Sequence, residues 1–213
     1  MAIEQSKPTV IFDFGGVLYA INFNRCVDSF KELGIADFEN HYSKASQSGL
    51  FQDFEKGLLK VDQFLNKLNT QIEVQLDKEK VISAWNSLLV GYLDENLSVL
   101  TEMSKDYNLI LLSNTNEIHH AQFSRELAEL NNKKFEELFD EVVFSHQVKM
   151  RKPDVEVYDL VKSHIPKNSK VVFIDDSIQN VESAEKAGIS SFHFTQNQSL
   201  KDQLPGILAK LNE

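Results

Sequence analysis

Apolar residues fall along this chain in two rhythms. Short unbroken runs occur at Thr9-Val10-Ile11-Phe12, Leu109-Ile110-Leu111-Leu112 and Val171-Val172-Phe173-Ile174. Runs of that length, rich in branched side chains, predict strands buried on both faces. Further strands are expected near Val142 and Ser191. From Leu18 to about Tyr92 the spacing turns helical, over Phe23–Leu33, Phe38–Leu50, Val61–Leu68 and Val81–Leu89. Beyond Tyr92 strand and helix patterns alternate, which predicts an α/β chain with a Rossmann-like parallel sheet covered by helices on both faces. The expected organisation is a core of residues 1–20 and 93–213, with a helical cap of residues 21–92 inserted into it.

Each of the three apolar runs ends in a polar group. Asp13 follows the first and is succeeded almost at once by Gly15 and Gly16, which let backbone N–H groups turn inward around an anion. Ser113-Asn114-Thr115-Asn116 closes the second, before a helix, where a hydroxyl and free N–H groups bind phosphate oxygens or simply cap the helix. Asp175-Asp176-Ser177 closes the third, with Asn180 one helical turn beyond. Adjacent carboxylates at a strand end repel each other unless a cation separates them, and oxygen ligands of this kind suit Mg²⁺. Ligands of parallel sheets bind at the carboxyl ends of the strands, where all three groups are expected. A fourth segment, Arg151-Lys152-Pro153-Asp154, places a lysine where Pro153 sets the start of a helix through Val155, Val157, Tyr158 and Val161. Taken singly, each has an ordinary explanation as a turn, a cap or a solvated charge; their order on successive elements does not.

Asp13-Phe14-Gly15-Gly16-Val17-Leu18, Ser113, Lys152-Pro153-Asp154 and Asp175-Asp176 together resemble the four motifs of the haloacid dehalogenase-like hydrolases, in family order and over nearly the whole chain. Ser113-Asn114-Thr115-Asn116 followed by His119, and Arg151-Lys152-Pro153 followed by Tyr158, are similar to the branch that contains sugar-1-phosphate phosphatases. The resemblance implies a Mg²⁺-dependent phosphatase of small phosphorylated metabolites. It implies Asp13 as nucleophile, an aspartyl-phosphate intermediate, and Lys152 beside it. It further implies phosphate contacts from Ser113, Lys152 and the backbone of Phe14, Gly15 and Asn114, and a metal held by Asp13, the Gly15 carbonyl, Asp176 and Asp175.

Gly15 departs from the family pattern, which usually has a second Asp there as general acid and base. Proton transfer of that kind supplies about 10²–10⁴-fold. Its loss favours good leaving groups such as an anomeric oxygen, unless Asp53, Glu55, His119 or His120 replaces it. Lys149 also stands where glycine is common in related sequences, and Lys149 and Arg151 both compete with Lys152 as the phosphate-binding cation. Substrate recognition is expected from Asn22, Phe23, Asn24 and Arg25 after the first motif, and from Phe51, Gln52, Trp85 and Asn86 in the cap, although Phe51 and Trp85 equally suit cap core. The alternatives are a dehalogenase, whose relatives also lack the second Asp, and a noncatalytic metabolite-binding relative.

Composition narrows the setting. A formal charge of −10 over 213 residues disfavours nucleic acid and anionic membrane surfaces as partners. No apolar run approaches the ~18 residues of a membrane span, and the start Met1-Ala2-Ile3-Glu4 lacks a signal-peptide pattern, so a cytoplasmic location is expected. The single cysteine, Cys26, is expected in the core rather than in chemistry. Either a monomer or a homodimer fits.

Overall fold

The computed structural model describes residues 3–47, 49–72 and 74–212, so Met1 and Ala2 of the expected leaderless start lie outside the described residues. The chain begins with β1 (Thr9–Phe12). It leaves and returns through an antiparallel pair, β2 (Tyr19–Ile21) and β3 (Leu89–Tyr92), then builds β4 (Asn108–Ser113), β5 (Glu141–Phe144), β6 (Val171–Asp175) and β7 (Ser190–His193). Between β2 and β3 run α1 (Phe23–Glu32), α2 (Phe38–Gln47), α3 (Leu50–Glu55), α4 (Val61–Ile72) and α5 (Lys78–Asn86). The later helices are α6 (Asp94–Met103), α7 (Glu117–Asn131), α8 (Ser145–Val148), α9 (Val155–His164), α10 (Ile178–Lys186) and α11 (Leu200–Ala209).

The main sheet is parallel, in the order β5-β4-β1-β6-β7. Side chains alternate between its faces. Val10, Phe12, Leu109, Leu111, Val172 and Ile174 join one core with residues of α6, α7 and α11. Ile11, Ile110, Leu112 and Phe173 join the other with Val157, Tyr158 and Val161 of α9 and Ala184 of α10. Both faces are dry, which is why these strands read as unbroken apolar runs rather than as alternation.

Helices α1–α5 surround a third core of their own, which includes Cys26, Phe30, Phe51, Phe54, Phe64 and Trp85. Its rings stack closely, Phe54 on Phe64 at 4.0 Å and Phe51 on Trp85 at 5.1 Å between centroids. Cys26 is fully buried, and burial pushes its thiol up to about 12, which makes it inert as expected. Among the described residues no helix is long and apolar enough to cross a membrane.

Three local expectations are corrected. The helix expected over Val81–Leu89 stops at Asn86, and Leu89–Tyr92 is a strand paired with Tyr19–Ile21; two short, half-exposed strands carry too little pattern to be told from helix. The single helix expected over Phe38–Leu50 is two, α2 and α3, separated at Gly49, whose φ of 79° no α-helix accommodates; Ser48 between them lies outside the described residues. Pro153 does not open α9: Asp154 holds the extended cap position, and the helix starts at Val155.

Candidate active site

Because β1 lies between β4 and β6, the polar residues that end these strands converge at the carboxyl edge of the sheet. Asp13 is held there by its N–H, which donates to the Ile174 carbonyl at 2.8 Å. Lys152 reaches in from the loop before α9. Its Nζ donates to Asp13 Oδ1 and to Asp175 Oδ2, each at 2.6 Å, and its side chain is 1% exposed. The Asn114 side chain fixes the backbone behind it, accepting from Lys152 N–H and donating to the Lys152 carbonyl, both at 2.8 Å. Sequence reasoning gave Asn114 only a backbone role, and nothing in the sequence announces this clamp.

Asp175 is saturated. Its oxygens accept from Lys152, from Ser177 N–H at 2.8 Å and from the Asn180 amide at 3.1 Å. Asp176 is more open, with Oδ2 accepting from the Gln196 amide at 2.6 Å and its carbonyl meeting His193 Nε2 at 3.0 Å. Gln196 and His193 were missed, since they follow or end the last strand and belong to no recognisable motif. Gly16 makes room for this group: its φ is 78°, and a Cβ there would lie 2.1 Å from Asp176 Oδ2. Gly15 is different, because a Cβ would meet only Ile21 methyl carbons, the nearer at 3.6 Å.

One oxygen from each of Asp13, Asp175 and Asp176 lies within 4.8 Å of the others. Three carboxylates against one ammonium leave negative charge in excess. Burial pushes Asp13 up to about 7, with the Asp175 and Asp176 charges adding and Lys152 opposing. Burial and Asp175 raise Asp176 in the same way. Burial alone would pull the Lys152 pKa down, but Asp13 and Asp175 outweigh it and raise it. Three clustered carboxylates that offer hard oxygen donors, two of them made reluctant to ionise by burial and by their neighbours' charge, form a set that fits a divalent cation such as Mg²⁺.

Beside this edge lies a cavity of about 180 Å³ between the sheet and helices α1–α5. Gly15, Ser113 and Asn114 form its floor, and Phe23, Phe51 and Trp85 stand among its walls. Phe51 and Trp85 thus serve the third core and the cavity at once. The other recognition candidates lie elsewhere. Asn22 caps α1, its side chain accepting from Asn24 N–H at 3.0 Å, while Arg25 and Asn86 line a separate depression; Gln52 is absent from the cavity wall. The competing cations also sort out: Arg151 Nε pairs with Glu55 Oε2 at 2.9 Å, and Lys149 ends α8 at a φ of 60°, the left-handed conformation that glycine occupies without strain.

A family model described as haloacid dehalogenase-like hydrolase matches residues 7–188. D-ribitol-5-phosphate phosphatase of Bacteroides thetaiotaomicron is 30% identical over 209 residues, covering 93% of this chain and 97% of that protein. The sesquiterpene phosphatase astK of Aspergillus oryzae is 30% identical over 193 residues, covering 88% and 89%. A crystal structure of a HAD family enzyme from B. thetaiotaomicron, in complex with magnesium and inorganic phosphate, superimposes with a TM-score of 0.83 at 28% identity, covering 92% of this chain and 98% of that one. With the motif residues gathered at one sheet edge and the family matched over most of its length, the chain belongs to the haloacid dehalogenase-like hydrolases.

Proposed function

We propose that this protein is a Mg²⁺-dependent phosphatase of small phosphorylated metabolites that works through an aspartyl-phosphate on Asp13. The observation that carries the reading is the group of Asp13, Asp175 and half-buried Asp176, the first two buried and bridged by Lys152, beside a cavity under the helical layer. Attack on carbon, as in a dehalogenase, needs no such metal-binding set. The magnesium and phosphate complex of the similar HAD enzyme and the phosphatase relatives support the same choice.

Asp13 attacks phosphorus in line, and water later hydrolyses the acyl phosphate. Lys152 orients Asp13 and offsets charge on the phosphoryl oxygens, while Ser113 and the N–H groups of Phe14, Gly15 and Asn114 hold those oxygens in place. Asp13, the Gly15 carbonyl and Asp176 would hold Mg²⁺, with Asp175 in support; bound there, it supplies Lewis-acid stabilisation of the phosphoryl charge. Residues 21–92 act as the cap that shuts water out of the cavity. A cytoplasmic location, where free metabolites and Mg²⁺ meet, belongs to the same proposal.

Within this class a sugar-1-phosphate is the finer reading. Its hemiacetal leaving oxygen demands least of a proton donor, and the apolar wall to which the exposed Phe23 ring and the edges of the stacked Phe51 and Trp85 contribute suits one side of a sugar ring. Incubation with a panel of phosphorylated metabolites, with Mg²⁺ and with EDTA, tests both levels. Phosphate release that requires Mg²⁺ supports the class, and a preference for anomeric over primary esters supports the finer reading; release that ignores EDTA contradicts the metal role.

A further inference from the structure

We propose that Glu55, at the end of α3, is the proton-transfer residue that the Gly15 position lacks: it protonates the leaving oxygen and then serves as base for the attacking water. The inference rests on the phosphatase reading and extends it to esters of ordinary, more basic alcohols.

Elimination leads to this residue. Asp53 lines a different depression, with Lys67 and Thr70. His120 packs against Phe123, Phe144 and His146 and is not part of the cavity wall. His119 does line the cavity, but both its ring nitrogens are used. Its Nε2 lies 3.2 Å from the Trp85 carbonyl, which only accepts, so the proton sits on Nε2. Its Nδ1 lies 3.0 Å from the Asn116 amide nitrogen, whose partner oxygen accepts from Ile118 and His119 N–H, so Nδ1 accepts. A neutral ring fixed in this tautomer, with burial holding its pKa down near 4, has no proton to give and little capacity to take one.

Glu55 lines the same cavity as Gly15, Ser113 and Asn114. Its backbone carbonyl accepts from Ser145 Oγ at 2.7 Å, and Ser145 Oγ in turn accepts from Thr115 N–H at 2.9 Å. Its neighbour Lys56 pairs with Asp154 at 2.6 Å. The end of α3 is therefore pinned to the two segments that carry Ser113 and Lys152. Arg151 holds Oε2 at 2.9 Å and sets the orientation of the carboxyl, which is 30% exposed and so reachable. Burial raises the carboxyl pKa, against the opposing charges of Arg151 and Lys152 that face it, which is the direction a general acid requires.

In the first step an Asp13 oxygen bonds to phosphorus, the P–O ester bond breaks, and the leaving oxygen takes the Glu55 proton to depart as the alcohol. In the second, Glu55 carboxylate takes a proton from water as its oxygen bonds to phosphorus. The P–O bond to Asp13 then breaks, releasing phosphate and restoring the Asp13 carboxylate and protonated Glu55.

Glu55→Gln should separate these steps. With p-nitrophenyl phosphate, whose leaving group needs no proton, rapid mixing in Mg²⁺ should show a burst of one nitrophenolate per active site followed by turnover slowed roughly 10²-fold. With alkyl phosphates the first step itself should slow, and the rate should fall steeply as the alcohol becomes more basic. Gly15→Asp in the same background should restore alkyl turnover, since its Cβ is accommodated against Ile21. Glu55→Asp, which keeps a carboxyl beside Arg151, should retain the wild-type leaving-group pattern at a lower rate, and serves if the Gln variant folds poorly. Equal losses across the series with no burst would make Glu55 structural, and unchanged rates would remove it from the chemistry; either overturns the proposal while wild-type turnover leaves the phosphatase reading intact. A wild-type protein inactive on every ester in Mg²⁺ would overturn both.

Discussion

Lys152 is the residue on which the site is balanced. Its ammonium is buried between Asp13 and Asp175, and removing one member of such a group leaves the others uncompensated. Lys152→Met should therefore destabilise the metal-free protein by about 3–5 kcal/mol, read as a lower denaturant midpoint in EDTA; a loss near zero would mean that the carboxylates are not held as charges. His119 gives a pH signature. Its folded pKa of about 4 lies below the usual histidine value, so the unfolded chain binds more protons between about 6.5 and 4, and stability falls with pH across that window before levelling below it. His146 is lowered to about 4 as well, and Asp13, raised to about 7, acts in the opposite sense. Comparison of wild type with His119→Gln isolates the one group: the difference between their stabilities should change by at most about 1.4 kcal/mol per pH unit inside the window, and a constant difference would show that His119 is not buried neutral. Most residues of this site were legible because Asp13, Ser113 and Asp175 each end a buried apolar run. The Asn114 clamp, Gln196 and Glu55's pairing with Arg151 were not, since they depend on where chain segments distant in sequence return.

At the scale of elements, α3 is one of the links between the helical layer and the carboxyl edge of the main sheet. Its end is locked by Glu55–Arg151, by Lys56–Asp154 and by Gly57, which takes a φ of 62° so close to the His146 carbonyl that an added Cβ would lie 2.0 Å from that oxygen. Gly57→Ala should lever α3 away. Turnover should fall at least tenfold at saturating substrate while the protein still folds, its melting temperature lowered by the ~2–12 °C expected of about 1–3 kcal/mol of strain and overpacking; an activity loss no larger than the unfolded fraction explains would mean that α3 supports the fold rather than the site. The three central strands of the main sheet, β4, β1 and β6, were readable because burial on both faces leaves unbroken apolar runs, and the covering helices because their apolar residues recur at helical spacing. Tyr19–Ile21 and Leu89–Tyr92 were not. Their pairing is antiparallel, short and partly exposed, with Gly91 at a φ of 148° and a register shift after Ala20, so neither rhythm is expressed.

For the whole molecule, an excess of negative charge at the sheet edge calls for a cation and, beside it, a phosphorylated ligand. Mg²⁺ should raise the melting temperature, by an amount that grows with concentration as expected for a ligand of the folded state alone; scanning calorimetry in Mg²⁺ and in EDTA reads it, and an unchanged midpoint would contradict the metal site. Covalent chemistry at Asp13 underlies the proposed reaction. The most direct measurement is rapid acid quench of the protein mixed with a radiolabelled phosphate monoester, followed by peptide mapping. Label is expected on the peptide that carries Asp13, removed by hydroxylamine as an acyl phosphate must be, and absent both in EDTA and in Asp13→Asn. Label on another peptide, or full turnover by folded Asp13→Asn, would contradict it.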